Sequence, residues 1–133
     1  MKEQELTGKI IGGAMRVHSV LGPGFLESVY QKALAHELQK EGLRVVCEKP
    51  LTVHYDGIVV GEFSCDMLVE ERVLIKLKAN QCLISGNEVQ LVNYLTATEI
   101  ETGLLLNFGA ARLELKRKFR TYRHDKPNDE IIL

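Results

Sequence analysis

The spacing of apolar residues changes twice along this chain, and each change marks a new kind of element. From 7 to 21, Ile10, Ala14, Val17 and Leu21 recur at three- and four-residue steps. That spacing predicts a helix, with Thr7 placed to cap its start. Gly12–Gly13 weaken it in a way that lets another element pack closely. Gly22-Pro23-Gly24 stops it. A second helix is predicted over 26–41, where Leu26, Val29, Tyr30, Ala33, Leu34 and Leu38 form one stripe before Gly42. Between 44 and 79 the period falls to two, with breaks at Lys49-Pro50, Asp56-Gly57 and Glu70-Glu71. Strands are expected near 44–48, 51–55, 58–69 and 72–79. In the third, Val59, Phe63, Cys65, Met67 and Val69 point one way, and Glu62, Ser64, Asp66 and Leu68 the other. In the fourth, Val73, Ile75, Leu77 and Ala79 face the core, and Leu74, Lys76 and Lys78 face opposite. The helical period returns over 87–99, with Leu91, Leu95 and Thr98 inward. Leu104–Phe108 reads as a short strand buried on both faces. A basic strand over 113–122 comes last, and the chain is expected to fray from about Pro127. The order ααββββαββ describes an α/β layered fold, a mixed central sheet flanked by helices.

A chain of 133 residues fits one domain, 1–133, with enough core to fold without staples. At 45% hydrophobic and 26% charged it is ordinary for a soluble globular protein. No apolar run approaches the roughly 18 residues of a membrane span. The start, MKEQELTGK, has no apolar stretch of the secretory kind. Cys47, Cys65 and Cys82 form no C-x-x-C pair and no zinc pattern with the four histidines. They are expected to be reduced thiols in a cytoplasmic protein, two of them as core filler.

The net charge of −1 does not by itself point to nucleic acid, but its distribution is uneven. Within 112–126, Arg112, Lys116, Arg117, Lys118, Arg120, Arg123 and Lys126 face only Glu114 and Asp125. Such an edge, with Lys116, Lys118 and Arg120 as its contacts, can follow a phosphate backbone. It can equally be a solvated strand whose lysines prevent aggregation.

Candidate chemistry sits on the predicted hairpin of the third and fourth strands. With a short turn at 70–72, Asp66 lies across from position 76 or 78, on the face that carries Lys78. Charge on a sheet face is costly unless it is paired or bound to metal. An aspartate on one strand, with a lysine two residues beyond a second acid on the next, is the skeleton of the PD-(D/E)XK nucleases. Gly24-Phe25-Leu26-Glu27-Ser28-Val29-Tyr30 adds G-x-x-E-x-x-Y. With LGPGFLESVYQKAL, GEFSCDMLVEERVLIKLKA and EVQLVNYL, the chain resembles the "GxxExxY protein" family of that superfamily over about residues 6–109. The resemblance implies a restriction-endonuclease-like core and Mg²⁺-dependent cleavage of a nucleic-acid phosphodiester. It implies Glu27 and Asp66 as metal ligands and catalytic acids, and Lys78 as the lysine that orients or deprotonates the attacking water. Gln90 and Tyr94, one helical turn apart, match a supporting Q-x-x-x-Y pair. It also makes a homodimer the default assembly.

The chain departs from that pattern at one position. Where the family reads E-x-K, this sequence reads Lys76-Leu77-Lys78. An ammonium repels a divalent cation instead of binding it. At roughly 4 Å and an effective dielectric of about 20, each unit charge pair is worth about 4 kcal/mol. Lys76 is therefore expected to pair with Asp66 or Glu27 and to defeat Mg²⁺ binding, leaving activity weak or absent. Three explanations stand: a natural pseudonuclease, a chain in which one acid has been exchanged, or another acid, Glu88 or Glu62, in the vacated role. The competing classes are a non-catalytic module for nucleic acid or protein, and a structural dimer using Leu104–Phe108 or a sheet edge. Residue by residue, Glu27 also reads as a first-turn acid favoured by the helix dipole, Lys78 as a solvated strand lysine, and Tyr30 as core.

Overall fold

A computed structural model describes residues 1–120 and the strand 130–132. Helices α1 (Glu3–Leu21) and α2 (Glu27–Lys40) come first. The antiparallel hairpin β1 (Val45–Tyr55) and β2 (Ile58–Val69) follows, then β3 (Val73–Lys78), α3 (Ser85–Thr98), β4 (Thr102–Asn107), β5 (Glu114–Phe119) and β6 (Glu130–Ile132). The six strands form one sheet in sequence order; only β3 and β4 pair in parallel. That parallel pair is joined by α3, the crossover helix such a pairing requires. Helices α1 and α2 cover one face, over Met67, Val69, Ile75, Leu77, Leu104, Leu106 and Leu115. Helix α3 covers the other, over Cys65, Leu68, Leu74 and Leu105. The result is the three-layered α/β fold expected of a restriction-endonuclease-like core.

Several local expectations change. The strands anticipated at 44–48 and 51–55 are one strand, β1. Pro50 does not break it because β1 is the sheet's edge, where a missing N–H has nothing to pair with on the open side. Thr7 is not the α1 cap: the helix starts four residues earlier, and the Thr7 hydroxyl donates back to the carbonyls of Glu3 and Gln4. The acids Glu3 and Glu5 occupy the first turn, where the helix dipole favours them. Leu26 is exposed, as the residue preceding α2 and not part of its buried stripe. Strand β4 is buried at every position between β3 and β5, so Leu104–Phe108 offers no dimer surface. The basic strand is not the last: β6 pairs with β5 over Glu114–Lys116. Of the segment expected to fray, 127–129 and 133 lie outside the described residues, as do Arg123, Asp125 and Lys126 of the basic run. No helix among the described residues is long and apolar enough to cross a membrane.

Packing between the two helices explains Gly13 and Tyr30. A Cβ at Gly13 would meet Leu38 at 3.1 Å and Leu34 at 3.4 Å, so Gly13 is where α2 rests on α1. Tyr30 is fully buried, its ring stacked on Phe108 at 4.7 Å. Its hydroxyl donates to the Gly22 carbonyl at 2.5 Å and accepts from the Phe25 N–H at 3.1 Å, pinning the turn between the helices. Tyr30→Phe is expected to lose about 1–2 kcal/mol of stability. Urea melts check this, with an unchanged m-value showing that the denatured state is unaffected.

Candidate active site

The site forms where β2 bends. Phe63 stacks on Tyr94 of α3 with centroids 3.9 Å apart, and Cys65 packs in the layer under α3. Met67 and Val69 turn instead to the layer under α1 and α2. The simple alternation expected for 58–69 therefore slips at Asp66. Opposite the slip, between the pairs Cys47↔Met67 and Lys49↔Cys65, stands Glu48 with φ of 54°. A non-glycine residue in the left-handed region stores about 1 kcal/mol or more of strain and persists only where neighbours hold it. Here the Glu48 carboxylate accepts from Gln31 Nε2 at 3.0 Å and from Ser64 Oγ at 2.8 Å. Gln31 Nε2 also donates to the Asp66 carbonyl at 2.8 Å, tying α2 to the bend.

Asp66 faces β3. The register Met67↔Ile75 and Leu68↔Leu74 runs on to place it across from Lys76. Its Oδ2 accepts the Leu77 N–H at 2.7 Å and lies 3.6 Å from Lys76 Nζ. Both side chains are largely buried, at 21% and 16% exposure. The Lys76 ammonium also sits 5.9 Å from the centre of the Tyr94 ring, an attractive placement for a cation. Lys78, half-buried, follows on the same face as Lys76. Its carbonyl accepts the Phe108 N–H at 2.9 Å. Just beyond, Asn107 is fully buried and its Oδ1 accepts from the N–H groups of Asn80 and Gly109, while its Nδ2 donates to Glu114. Asn107 thus fixes the strand end that carries Lys78.

The other anticipated residues fall as follows. Tyr94 joins Lys76 and Phe63 as described. Gln90, half-buried, lies one turn before Tyr94. Glu27 is exposed at the start of α2, one turn before Gln31 on the same helix face, with no hydrogen bond or ion pair among the described residues. Glu62 is exposed on the hairpin. Glu88 is engaged elsewhere: it pairs with Lys118 Nζ at 2.7 Å. Lys118 is itself buried to 9% exposure, so it braces β5 against α3 and does not stand open to a backbone phosphate. Arg120 pairs with Glu101 at 3.3 Å, and Lys116 is half-buried on β5.

The chain's family-model match covers residues 4–118 and is to the PD-(D/E)XK nuclease superfamily. The chain belongs to this superfamily. Among curated proteins and solved structures, none matches it. PD-(D/E)XK nucleases generally use Mg²⁺ or a similar divalent ion. The residues present do not fit one. Asp66 is the carboxylate that faces β3 at the bend, and its Oδ2 accepts an N–H and faces an ammonium. Among the described residues no three His, Cys, Asp or Glu side chains gather closely enough to hold a metal.

The negative field of this corner is felt by the thiols. Burial, and then the Asp66 charge, pushes the Cys65 thiol up to about 12. Cys47 is raised by burial first and then by Glu48 and Asp66. The expectation of two core cysteines is corrected: Cys65 alone is buried, because Cys47 lies on the edge strand and Cys82 in the loop before α3. A thiol reagent at mildly alkaline pH should therefore react with Cys82 first and Cys47 more slowly. Cys65 should react only after denaturant is added, since the thiolate is the nucleophile.

Proposed function

We propose that this PD-(D/E)XK protein has lost metal-dependent phosphodiester cleavage, and that Lys76 is the reason. The observation that carries the reading is the Lys76–Asp66 pair, 3.6 Å apart and largely buried. Asp66 serves as the counter-charge of a lysine, not as one of a pair of metal ligands. Lys78 on β3 and Gln90 and Tyr94 on α3 are the residues that the resemblance assigns to the site, and Glu27 stands exposed at the start of α2. What is left is a nuclease scaffold with its lysine and no seat for the ion. The half-buried Lys78 can still meet a phosphate, which supports a nucleic-acid partner without catalysis. Neither acid considered as a replacement supports rescue: Glu88 is held by Lys118, and Glu62 is out on the hairpin.

Plasmid DNA and labelled single strands of DNA and RNA, incubated with Mg²⁺ or Mn²⁺, provide the test. No metal-dependent products above the protein-free control are expected. Cleavage by the natural chain that Asp66→Ala abolishes would overturn the reading.

A further inference from the structure

We propose that the open edge of β1 takes up an extended segment of a partner protein as an added strand, with a lysine or arginine side chain of that segment in the cavity under the end of α3. The site is separate from the Lys76–Asp66 pair and does not rest on the reading above. The cavity, of about 540 Å³, lies between Val53 and His54 of β1 and the last turns of α3, from Asn93 to Glu99.

The backbone of this edge is set to receive a strand. Asp56 and Gly57 have φ of 52° and 80°, so the β1–β2 hairpin turns in two residues. In such a turn the flanking pair, Tyr55↔Ile58, exchanges hydrogen bonds. His54, one residue back, therefore directs its N–H and C=O away from β2. Pro50 gives the same phase independently. It pairs with Ser64 although it has no N–H, so it stands where β2 needs none, and alternation puts Thr52 and His54 in step with it. The register shift does not disturb this, because the extra residue is Val60 on β2. Among the described residues no strand pairs with the open side of β1. An antiparallel segment can bond to Thr52 and His54 there, and the residue between those bonds lies directly across from Val53.

Side chains select the chemistry. Leu51 packs in the layer under α3, and Val53 lines the cavity. The incoming residue across from Val53 therefore points under α3, and its same-face neighbours meet Leu51 and Tyr55. Tyr55 is 72% exposed and gains a cover. The cavity itself is electronegative. Helix α3 has no basic residue in its last turn, and among the described residues no cap N–H closes it. The Thr98 hydroxyl donates to the carbonyls of Tyr94 and Leu95, which leaves those of Thr96, Ala97 and Thr98 as the negative end of the helix. Glu99 adds a full charge there, in the left-handed region with φ of 60°. A carboxylate at this end is unfavourable for the helix alone, and a cation brought into the cavity offsets it. The fitting segment is apolar–x–Lys/Arg–x–apolar: main-chain bonds hold it and the central cation specifies it.

The probe is a capped, fluorescein-labelled peptide, Thr-Val-Thr-Lys-Thr-Val-Thr, with a copy carrying Glu in place of Lys, read by anisotropy. The Lys peptide is expected to bind the natural chain about tenfold more tightly than the Glu peptide. Glu99→Gln should narrow that ratio to about threefold. Thr52→Pro removes a donor that β2 does not use, so it should abolish binding and melt like the parent. Methylating the peptide N–H on either side of the lysine should abolish binding, whereas methylating the lysine's own N–H should be tolerated, because only the flanking groups face β1. Equal binding of the Lys and Glu peptides, tolerance of the flanking methyl groups, or no binding at millimolar peptide overturns the proposal. Displacement by N-acetyl-lysine methylamide as effective as by the unlabelled peptide would assign the cavity to a free amine. A chain that elutes at twice its mass, and at its single mass as Thr52→Pro, would assign the edge to a second copy. Either result overturns the partner segment.

Discussion

Asp66→Ala is expected to destabilise the protein by about 3 kcal/mol, and the sign of that effect separates two accounts of the site. If Asp66 were a metal ligand kept among other acids, removing it would relieve repulsion, and the usual outcome of deleting such a functional group is neutral or stabilising. Here its removal leaves Lys76 as a largely buried ammonium without a counter-charge. It also leaves the Leu77 N–H without its acceptor. Breaking a fully buried pair from one side costs about 3–5 kcal/mol. Residual exposure lowers that, and the orphaned N–H adds about 1–3 kcal/mol. Urea unfolding of Asp66→Ala, Lys76→Met and the double variant provides the measurement. The double variant should recover most of the loss, since it removes the charge along with its partner. A more stable Asp66→Ala would contradict the ion-pair account.

Gly109→Ala is expected to have the largest effect on stability of any single methyl addition. A Cβ there lands on the backbone of Ala79 and Asn80, which no rotamer change can relieve. Asn107 holds Asn80 and Gly109 together at this junction by accepting from both of their N–H groups. The substitution must push the two strand ends apart and displace Lys78 with them. A loss of more than about 4 kcal/mol and a fall in melting temperature of about 15 °C are expected. Gly103→Ala is a milder comparison, because its close neighbours are the flexible side chains of Leu91 and Leu95. A Gly109→Ala protein that melts like the parent would show that this junction is looser than the hydrogen bonds imply.

Much of this architecture is written in local periodicity. The change from three- and four-residue steps to alternation marks the helices and strands, and the turn at 70–72 sets Asp66 across from Lys76. What the sequence conceals is what depends on partners far along the chain. The slip at Asp66 is fixed by Gln31 from α2 and by the left-handed Glu48 opposite, neither of which alternation reveals. Gln31 had a signal, its one-turn spacing from Glu27, but its contact is with a backbone carbonyl that no motif records. Lys118 reads as one more cation in a basic run because Glu88, thirty positions earlier, neutralises it only when α3 packs on β5. Asn107 is hidden inside an apolar strand, and its role becomes visible only when β3 and β4 lie side by side. Charge identity, by contrast, is local: the lysine at 76 is legible as an obstacle to a divalent ion before any fold is known.

Thermal unfolding of the natural chain and of Lys76→Glu, in EDTA and then in rising Mg²⁺, decides whether one ammonium occupies the place of a metal. The natural chain should show no Mg²⁺ response. Lys76→Glu should melt lower in EDTA, where two carboxylates face each other, and recover as the ion binds, by about 2.7 kcal/mol at a hundredfold excess over Kd. A natural chain that Mg²⁺ stabilises, or a Lys76→Glu protein indifferent to it, would show that the ammonium does not stand in a metal's place.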